Sequence, residues 1–135
     1  MKIFIGYQSA LEYWRVHRVL PGSKAYTRRN IELPSNPPST EQVKLSGLTL
    51  PLHIMIRKRG NRWASQTMTQ HVFSGNAPAN CFVSVDSVKG NGLEVSSPEF
   101  CFLQMAGRLS LAALIELGYE FCGTYSIVYP IHANC

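Results

Sequence analysis

Basic side chains beside an aromatic ring are the residues best suited to bind a ligand in this sequence. The densest group comprises Arg57, Lys58, Arg59, Arg62 and Trp63. Cations of this kind pair with the phosphates of a nucleic acid, while the indole ring can stack on a base. The same composition is also typical of a solvated turn between two strands, where Lys and Arg only keep a loop in water.

The distribution of charge favours a polyanionic partner. The chain has 135 residues and a formal net charge of +5. Residues 1–62 carry 11 basic and 3 acidic side chains, a net of +8, whereas residues 63–135 carry 2 basic and 5 acidic ones, a net of −3. A field this uneven steers polyanions to one side of the molecule. We therefore predict that the group at 57–63 and a second basic pair, Arg28 and Arg29, bind nucleic acid.

His71 is the histidine that we consider as a catalytic candidate, because Ser74 follows it three positions later in the segment TQHVFSG. On a strand, positions 71 and 74 lie on opposite faces, so a direct His–Ser couple would need an intervening turn. A hydrogen-bonded structural role is the alternative for His71. His53 alternates with the apolar residues Leu52 and Ile54 and is expected to face solvent.

No pattern in the sequence specifies a reaction. The glycine-rich phosphate loop and the G-x-S-x-G nucleophile elbow do not occur. The spacing of the four cysteines lacks the short pairs of a zinc site. Two of them, Cys101 and Cys122, lie in apolar helical stretches and are expected to be reduced core residues of a cytoplasmic protein. We therefore predict no catalytic residue, no metal, no cofactor and no small-molecule substrate.

Length and composition indicate one small globular domain, with 45% hydrophobic and 16% charged residues. No apolar run reaches the roughly 20 residues of a membrane span, and no secretion signal opens the chain, so no membrane partner is expected. Four regions are predicted: a strand and helix at 1–20, a Pro-rich linker or loop at 21–48, an α+β core at 49–126, and an apolar tail at 127–135. The tail either closes the domain or leads into a longer chain.

Alternating apolar residues and turn signals predict the strands. They are expected at 2–6, 52–58, 68–74, 81–86 and 93–95, with turns such as RGN and KGNG between them. Ser9 and Glu12 match a capping box, which predicts a helix from about residue 10 to 20. Further helix starts are indicated at 40, 96–99 and 110. The predicted fold is α+β: a small antiparallel sheet of four to five short strands packed by two to three helices.

Several stretches together resemble a known family. These are IFIGYQSALEYWR, PLHIMIRKRGNRWAS, TQHVFSG and VSSPEFCFLQMAGRLSLAALIELGYEFCGTYS. They resemble the N-terminal region of actinobacterial proteins of the abortive-infection type IV antitoxin class (AbiEi-like), which are also similar to proteins with a very-short-patch-repair-like endonuclease domain. The segment SSPEF…LQMA is the most specific part, and the likeness weakens over 21–48.

The resemblance implies a cytoplasmic protein of a toxin–antitoxin system that binds DNA or regulates transcription and counters a nucleotidyltransferase toxin. Longer relatives continue into a domain similar to restriction endonucleases, which carries acidic metal ligands and a Lys. This chain contains no Asp followed by a Glu-x-Lys motif. We therefore expect a non-catalytic antitoxin-like module whose partners are DNA or a nucleotidyltransferase-type toxin. The alternative is the N-terminal fragment of a nuclease whose catalytic domain is missing from this chain.

Overall fold

The computed structural model describes residues 2–17, 31–58, 66–86 and 92–126. The elements in these segments are, in chain order, β1 (Ile3–Ile5), α1 (Tyr7–Val16), β2 (Ile31–Glu32), α2 (Thr40–Leu45), β3 (Leu52–Ile56), β4 (Met68–Val72), β5 (Asn76–Ala77), β6 (Phe82–Asp86), β7 (Gly92–Ser96), α3 (Pro98–Ala106) and α4 (Leu111–Ser126). The predicted α+β class is confirmed. None of the helices in these segments is long and apolar enough to cross a membrane.

A five-stranded sheet with the order β4-β3-β1-β7-β6 forms the centre of the fold. The strand β1 pairs antiparallel with β3 and parallel with β7. Strand β4 is parallel to β3, and β6 is antiparallel to β7. The prediction of an antiparallel sheet is therefore wrong, because the sheet is mixed. The turn signals predicted successive hairpins. In the structure, β1 lies between β3 and β7, and β4 runs parallel to β3 rather than antiparallel to it.

Apolar side chains on both faces of the sheet account for this arrangement. All three residues of β1 are buried, as a central strand covered on both faces requires. On one face the sheet packs against all four helices, and buried members of this cluster include Ile5, Trp14, Val43, Ile54, Met105 and Leu117. On the other face lies a smaller cluster of Phe4, Leu33, Met55, Ala77 and Phe82.

The helix α1 begins differently from the prediction. Its N-cap residue is Gly6, with no side-chain cap, so the capping box predicted at Ser9 and Glu12 is wrong. The Ser9 hydroxyl instead accepts a hydrogen bond of 2.8 Å from the backbone N–H of His53. The Glu12 carboxylate accepts bonds of 3.0 and 3.1 Å from the backbone N–H of Thr49. Both side chains fasten α1 to the chain around β3, and a local sequence pattern cannot reveal such distant partners.

The other helix starts follow their sequence signals. The Ser97 hydroxyl caps α3, and Pro98 follows in the first turn. The Ser110 hydroxyl accepts a bond from a backbone amide in the first turn of α4. These two predicted starts are confirmed, because each Ser satisfies an amide that the helix leaves unpaired. The brief helix predicted at 40–45 is α2, and its cap is Ser39.

The described cysteines differ in whether they form a disulfide bond. Cys81 and Cys101 are free thiols. Burial raises the pKa of Cys101 to about 12, which fits the predicted role of a reduced core residue. Cys122 is disulfide-bonded, so the expectation of a reduced core thiol at that position is wrong.

Replacing Trp14 by Phe tests how α1 is held to the sheet. Trp14 is 5% exposed, and its Nε1–H donates a 2.8 Å hydrogen bond to the backbone carbonyl of Ser96. We expect W14F to lower the free energy of unfolding by about 1–3 kcal/mol, because a buried hydrogen bond and some packing are lost. Urea unfolding followed by circular dichroism measures the change. Tyr13→Phe, on the same helix, is the control; equal losses in both variants would contradict the role of this bond.

Candidate functional site

The predicted nucleic-acid-binding residues lie only partly within the described segments. Arg57 and Lys58 directly follow β3, and Lys58 is exposed, as a cation that contacts phosphate needs to be. The remaining predicted residues lie outside the described part of the chain: Arg28, Arg29, Arg59, Arg62 and Trp63.

Arg57 is already engaged within the fold. Its guanidinium forms an ion pair with Glu32 and donates a 2.8 Å hydrogen bond to the Ser35 hydroxyl. Its backbone N–H donates to the carbonyl of Pro34 at 2.9 Å. Arg57 therefore fastens the segment after β2 to the end of β3. Contact with a phosphate would require the ion pair with Glu32 to open.

A group of polar side chains lies at the sheet edge formed by β3 and β4. Their proximity was not predicted from the sequence. We call Tyr7, His53, His71 and Arg108 the histidine–arginine cluster. The parallel register places His71 beside Met55, so His53 and His71 project from the same face. Nδ1 of His53 and Nε2 of His71 are 2.8 Å apart and share a hydrogen bond.

Tyr7 and Arg108 complete the cluster. The ring of Tyr7 stacks on that of His71, with centroids 3.8 Å apart and planes at 15°. The guanidinium carbon of Arg108 lies 4.7 Å from the centroid of the Tyr7 ring, a cation–π distance. Nη2 of Arg108 is also 3.5 Å from Nδ1 of His71. Arg108 itself is exposed, so the cluster opens to solvent on this side.

The backbone at Gly6 and Tyr7 is shaped to bring Tyr7 into the cluster. Tyr7 has a φ of 53°, in the left-handed region that costs a non-glycine residue about 1–2 kcal/mol. Its N–H donates to Oε1 of Gln104 at 3.0 Å, and the N–H of Gly6 donates to the carbonyl of His53 at 3.1 Å. A Cβ at Gly6 would lie 2.8 Å from Oε1 of Gln104. Close contacts thus hold a strained residue against His71, which is a pattern found at functional sites.

The electrostatics of the cluster keep both imidazoles neutral. Burial lowers the pKa of His71 to about 4, helped by the proximity of His53 and Arg108. Burial and Arg108 also lower the pKa of His53. Within the described segments, no carboxylate contacts any member of the cluster. The charge of Arg108 therefore has no counter-ion among these residues.

Neutral imidazoles also define the direction of the hydrogen bonds. A guanidinium can only donate, so Nδ1 of His71 faces Arg108 as an acceptor and His71 carries its proton on Nε2. That proton is donated to Nδ1 of His53. The order of donation thus runs from Arg108 through His71 to His53. One added proton on His71 would create a second cationic donor beside Arg108.

The same sheet face carries a buried carboxylate in β7 that has its own partners. Glu94 is 2% exposed. It accepts a 2.5 Å hydrogen bond from the hydroxyl of Ser84 and lies 3.4 Å from Nζ of Lys2. Its charge is compensated by these groups, so it does not serve the histidine–arginine cluster.

The cluster shows what sequence reasoning missed. His53 is half-buried, so the expectation that it faces solvent is wrong. His71 is hydrogen-bonded, as its structural alternative assumed, but to His53 rather than to Ser74, which is exposed. The sequence contained one signal for this site: each histidine lies in a segment with apolar residues that is predicted to be a strand. The parallel register that joins the two strands cannot be read from the sequence.

A second surface is apolar and lies on α3 and α4. The residues that line a groove of about 740 Å³ are mostly apolar: Pro98, Glu99, Phe102, Leu103, Gly118, Phe121 and Cys122. Large side chains on the same two helices remain exposed, namely Leu103, Leu111, Ile115 and Tyr119. We call these four residues the α3–α4 apolar surface. Large exposed apolar side chains on two neighbouring helices are typical of a contact with another protein.

Comparison with known proteins identifies no match for this chain, so its function is inferred from the chemistry of these surfaces. No protein-family model, no curated protein and no solved structure matches the chain. In the described segments, no group of three or more His, Cys, Asp or Glu side chains is placed to hold a metal ion.

Acid should destabilise the folded protein through His71. The fold lowers its pKa to about 4, whereas an unfolded chain titrates near 6.5, so the unfolded state binds more protons between these values. The free energy of unfolding should therefore fall as the pH drops from about 6.5 to about 4, and the contribution of His71 should level off below that.

Urea unfolding at a series of pH values measures this dependence. His71→Gln should reduce the slope over that interval, because the titrating group is gone. His17→Gln, which removes a histidine outside the cluster, is the matched control. An unaltered slope in His71→Gln would show that His71 is not responsible.

Proposed function

We propose that this chain is a non-catalytic, antitoxin-like regulatory module that binds DNA in the cytoplasm. The observation that carries the proposal is the net charge of +8 on residues 1–62, which favours a polyanionic partner. The resemblance to AbiEi-like antitoxins supports the same partner and implies a role in transcription regulation. No reaction is assigned, because no motif of the sequence specifies one.

The DNA contact is assigned to the region that follows β3. Lys58 is exposed at this point, and Arg59, Arg62 and Trp63 come next in the sequence. Arg57 is given a positioning role, because its ion pair with Glu32 neutralises its charge. Arg28 and Arg29 supply further cations from the same positive part of the chain. Contacts of this type bind the phosphate backbone and confer little sequence preference by themselves.

Salt dependence of DNA binding tests this assignment. Each phosphate contact contributes about 0.9 to the slope of log K against log salt concentration. Replacing Lys58, Arg59 and Arg62 together by Ala should therefore reduce that slope by about 2–3. Fluorescence anisotropy with a short labelled duplex, repeated over a range of salt concentrations, measures it. Arg57 is kept so that the end of β3 stays anchored.

A pair of single substitutions provides the matched control. Lys58→Ala and Lys44→Ala each remove one exposed cation, but only Lys58 lies in the assigned contact. We expect the slope to fall by about 1 in the first variant and to stay constant in the second. Equal effects, or binding of the unmodified protein that does not depend on salt, would overturn the DNA proposal.

A nucleotidyltransferase-type toxin is the second candidate partner. The α3–α4 apolar surface favours it, since Leu111 and Tyr119 are 74% and 77% exposed. Exposed apolar groups of this size gain stability when a protein partner covers them. This contact uses α3 and α4, whereas Lys58, the described cation of the DNA contact, follows β3.

Polar substitution of the apolar surface tests the toxin contact. Leu111→Ser combined with Tyr119→Ser should weaken binding to a purified nucleotidyltransferase toxin from the same genome by about tenfold or more, because buried aromatic and aliphatic anchors dominate such interfaces. Isothermal titration calorimetry measures the affinity. Val72→Ser is the control, since Val72 is 43% exposed on β4, which contributes no residue to this surface. Unchanged affinity in the double variant would exclude this surface as the contact.

A further inference from the structure

The histidine–arginine cluster concentrates groups that attract an anion. Arg108 is a permanent cation, and it lies exposed above Tyr7. His71 and His53 add two imidazoles, linked by a 2.8 Å hydrogen bond. Within the described segments, the groups facing these imidazoles are Tyr7 from α1 and Arg108 from the turn after α3, and no carboxylate contacts them. Among these residues, an anion is thus the component that the arrangement lacks.

We propose that Arg108, His71 and His53 form a binding site for a phosphate monoester or free phosphate, with Tyr7 as the platform that orients Arg108. The site uses none of the residues assigned to the DNA contact. The proposal therefore does not depend on the DNA contact. It assigns a ligand to a group of residues whose proximity was not predicted from the sequence.

Charge matching favours a phosphate monoester over a carboxylate or a phosphodiester. A phosphate monoester carries about −1.5 to −2 charges at neutral pH, whereas the other two groups carry about −1. Arg108 supplies one positive charge. The histidine pair can supply a second by taking up one proton, which a singly charged ligand would not require. Only a doubly charged oxyanion can pair with both positive charges that the cluster is able to supply.

Placing this proton changes one contact of the cluster, because Nδ1 of His71 stops accepting from Arg108 and donates to an oxygen of the ligand instead. Nη2 of Arg108 and Nδ1 of His71 are 3.5 Å apart, so both can reach oxygens of one phosphate group. A proton added to Nδ1 of His71 becomes a donor toward the ligand. Nε2 of His71 continues to donate to Nδ1 of His53. His53 therefore keeps the ring of His71 in the orientation that ligand binding requires.

A cation is the less suitable ligand for the same groups. The two imidazole nitrogens that face each other already share a hydrogen bond. The guanidinium of Arg108, 3.5 Å from His71, would repel a metal ion. A phosphate group instead gains attraction from Arg108, whose charge has no counter-ion among the described residues. The anion therefore fits both the donors and the field of the cluster.

Titration of the full 135-residue chain with inorganic phosphate tests the proposal, read out on the imidazole NMR signals of His53 and His71. We expect saturable shifts of both signals. Arg108→Gln should weaken binding by about tenfold or more, because a charge-assisted bond is lost. Lys44→Gln removes an equally exposed cation elsewhere and should leave the affinity unchanged. Shifts that do not saturate, or equal weakening in both variants, would overturn the proposal.

Two further arms identify the ligand and the proton. A nucleoside 5′-monophosphate that binds more tightly than inorganic phosphate identifies the monoester of a larger molecule as the ligand, whereas equal affinities identify free phosphate. Sulfate, whose charge is constant over this range, should bind more tightly as the pH falls from about 7 to about 5, and His71→Gln should abolish that gain. Sulfate affinity that does not change with pH would refute the proton uptake, and with it this site.

A separate comparison keeps this proposal distinct from the DNA contact. The variant with Ala at positions 58, 59 and 62 should retain phosphate binding at the cluster, and Arg108→Gln should retain the salt-dependent binding of duplex DNA. Binding of duplex DNA alone, unaffected by Arg108→Gln and without response to any phosphate monoester, would reject the phosphate site and leave the DNA contact standing.

Discussion

The pairing of β1 with both β3 and β7 is the interaction on which the rest of the structure depends. Without it, the sheet would separate into the pairs β3–β4 and β6–β7, each with an unpaired inner edge. The short strand IFI can join them because all its side chains are buried. Ile3 and Ile5 enter the large core under the helices, while Phe4 enters the smaller one. One tripeptide thus links two strand pairs and two cores.

The same strand determines where the histidine–arginine cluster can form. The chain leaves β1 at Gly6, whose N–H bonds to the carbonyl of His53, and turns immediately into Tyr7. This sharp turn holds Tyr7 in a left-handed backbone conformation and stacks its ring on His71. The cluster is therefore a consequence of joining β1 to β3. It combines residues from the start, the middle and the end of the described chain, which gives the site a stable frame and one open side at Arg108.

Three surfaces of different chemistry follow from this architecture. Lys58 presents a positive charge directly after β3. Arg108 is the exposed member of the histidine–arginine cluster. The helices α3 and α4 present exposed apolar side chains. These three groups consist of different residues, so a substitution in one of them leaves the side chains of the other two in place. The proposed DNA, phosphate and toxin contacts correspond to these three surfaces in turn.

The sequence alone determined the local features of this protein. Ser97 and Pro98 start α3, and Ser110 starts α4, because a cap requires only residues within one helical turn. The alternation of apolar residues likewise predicted β3, β4 and β6 close to their positions. The α+β class followed from these elements. The excess of positive charge on residues 1–62 is also a property of the sequence itself.

Tertiary structure decided the strand order, the mixed sheet and the cluster. Ser9 and Glu12 match a local cap, yet their partners are His53 and Thr49. Strand register depends on which distant backbones meet, and hydrophobic periodicity is the same for parallel and antiparallel pairs. His53 and His71 lie 18 positions apart, and only the parallel pairing of β3 with β4 brings their rings into contact.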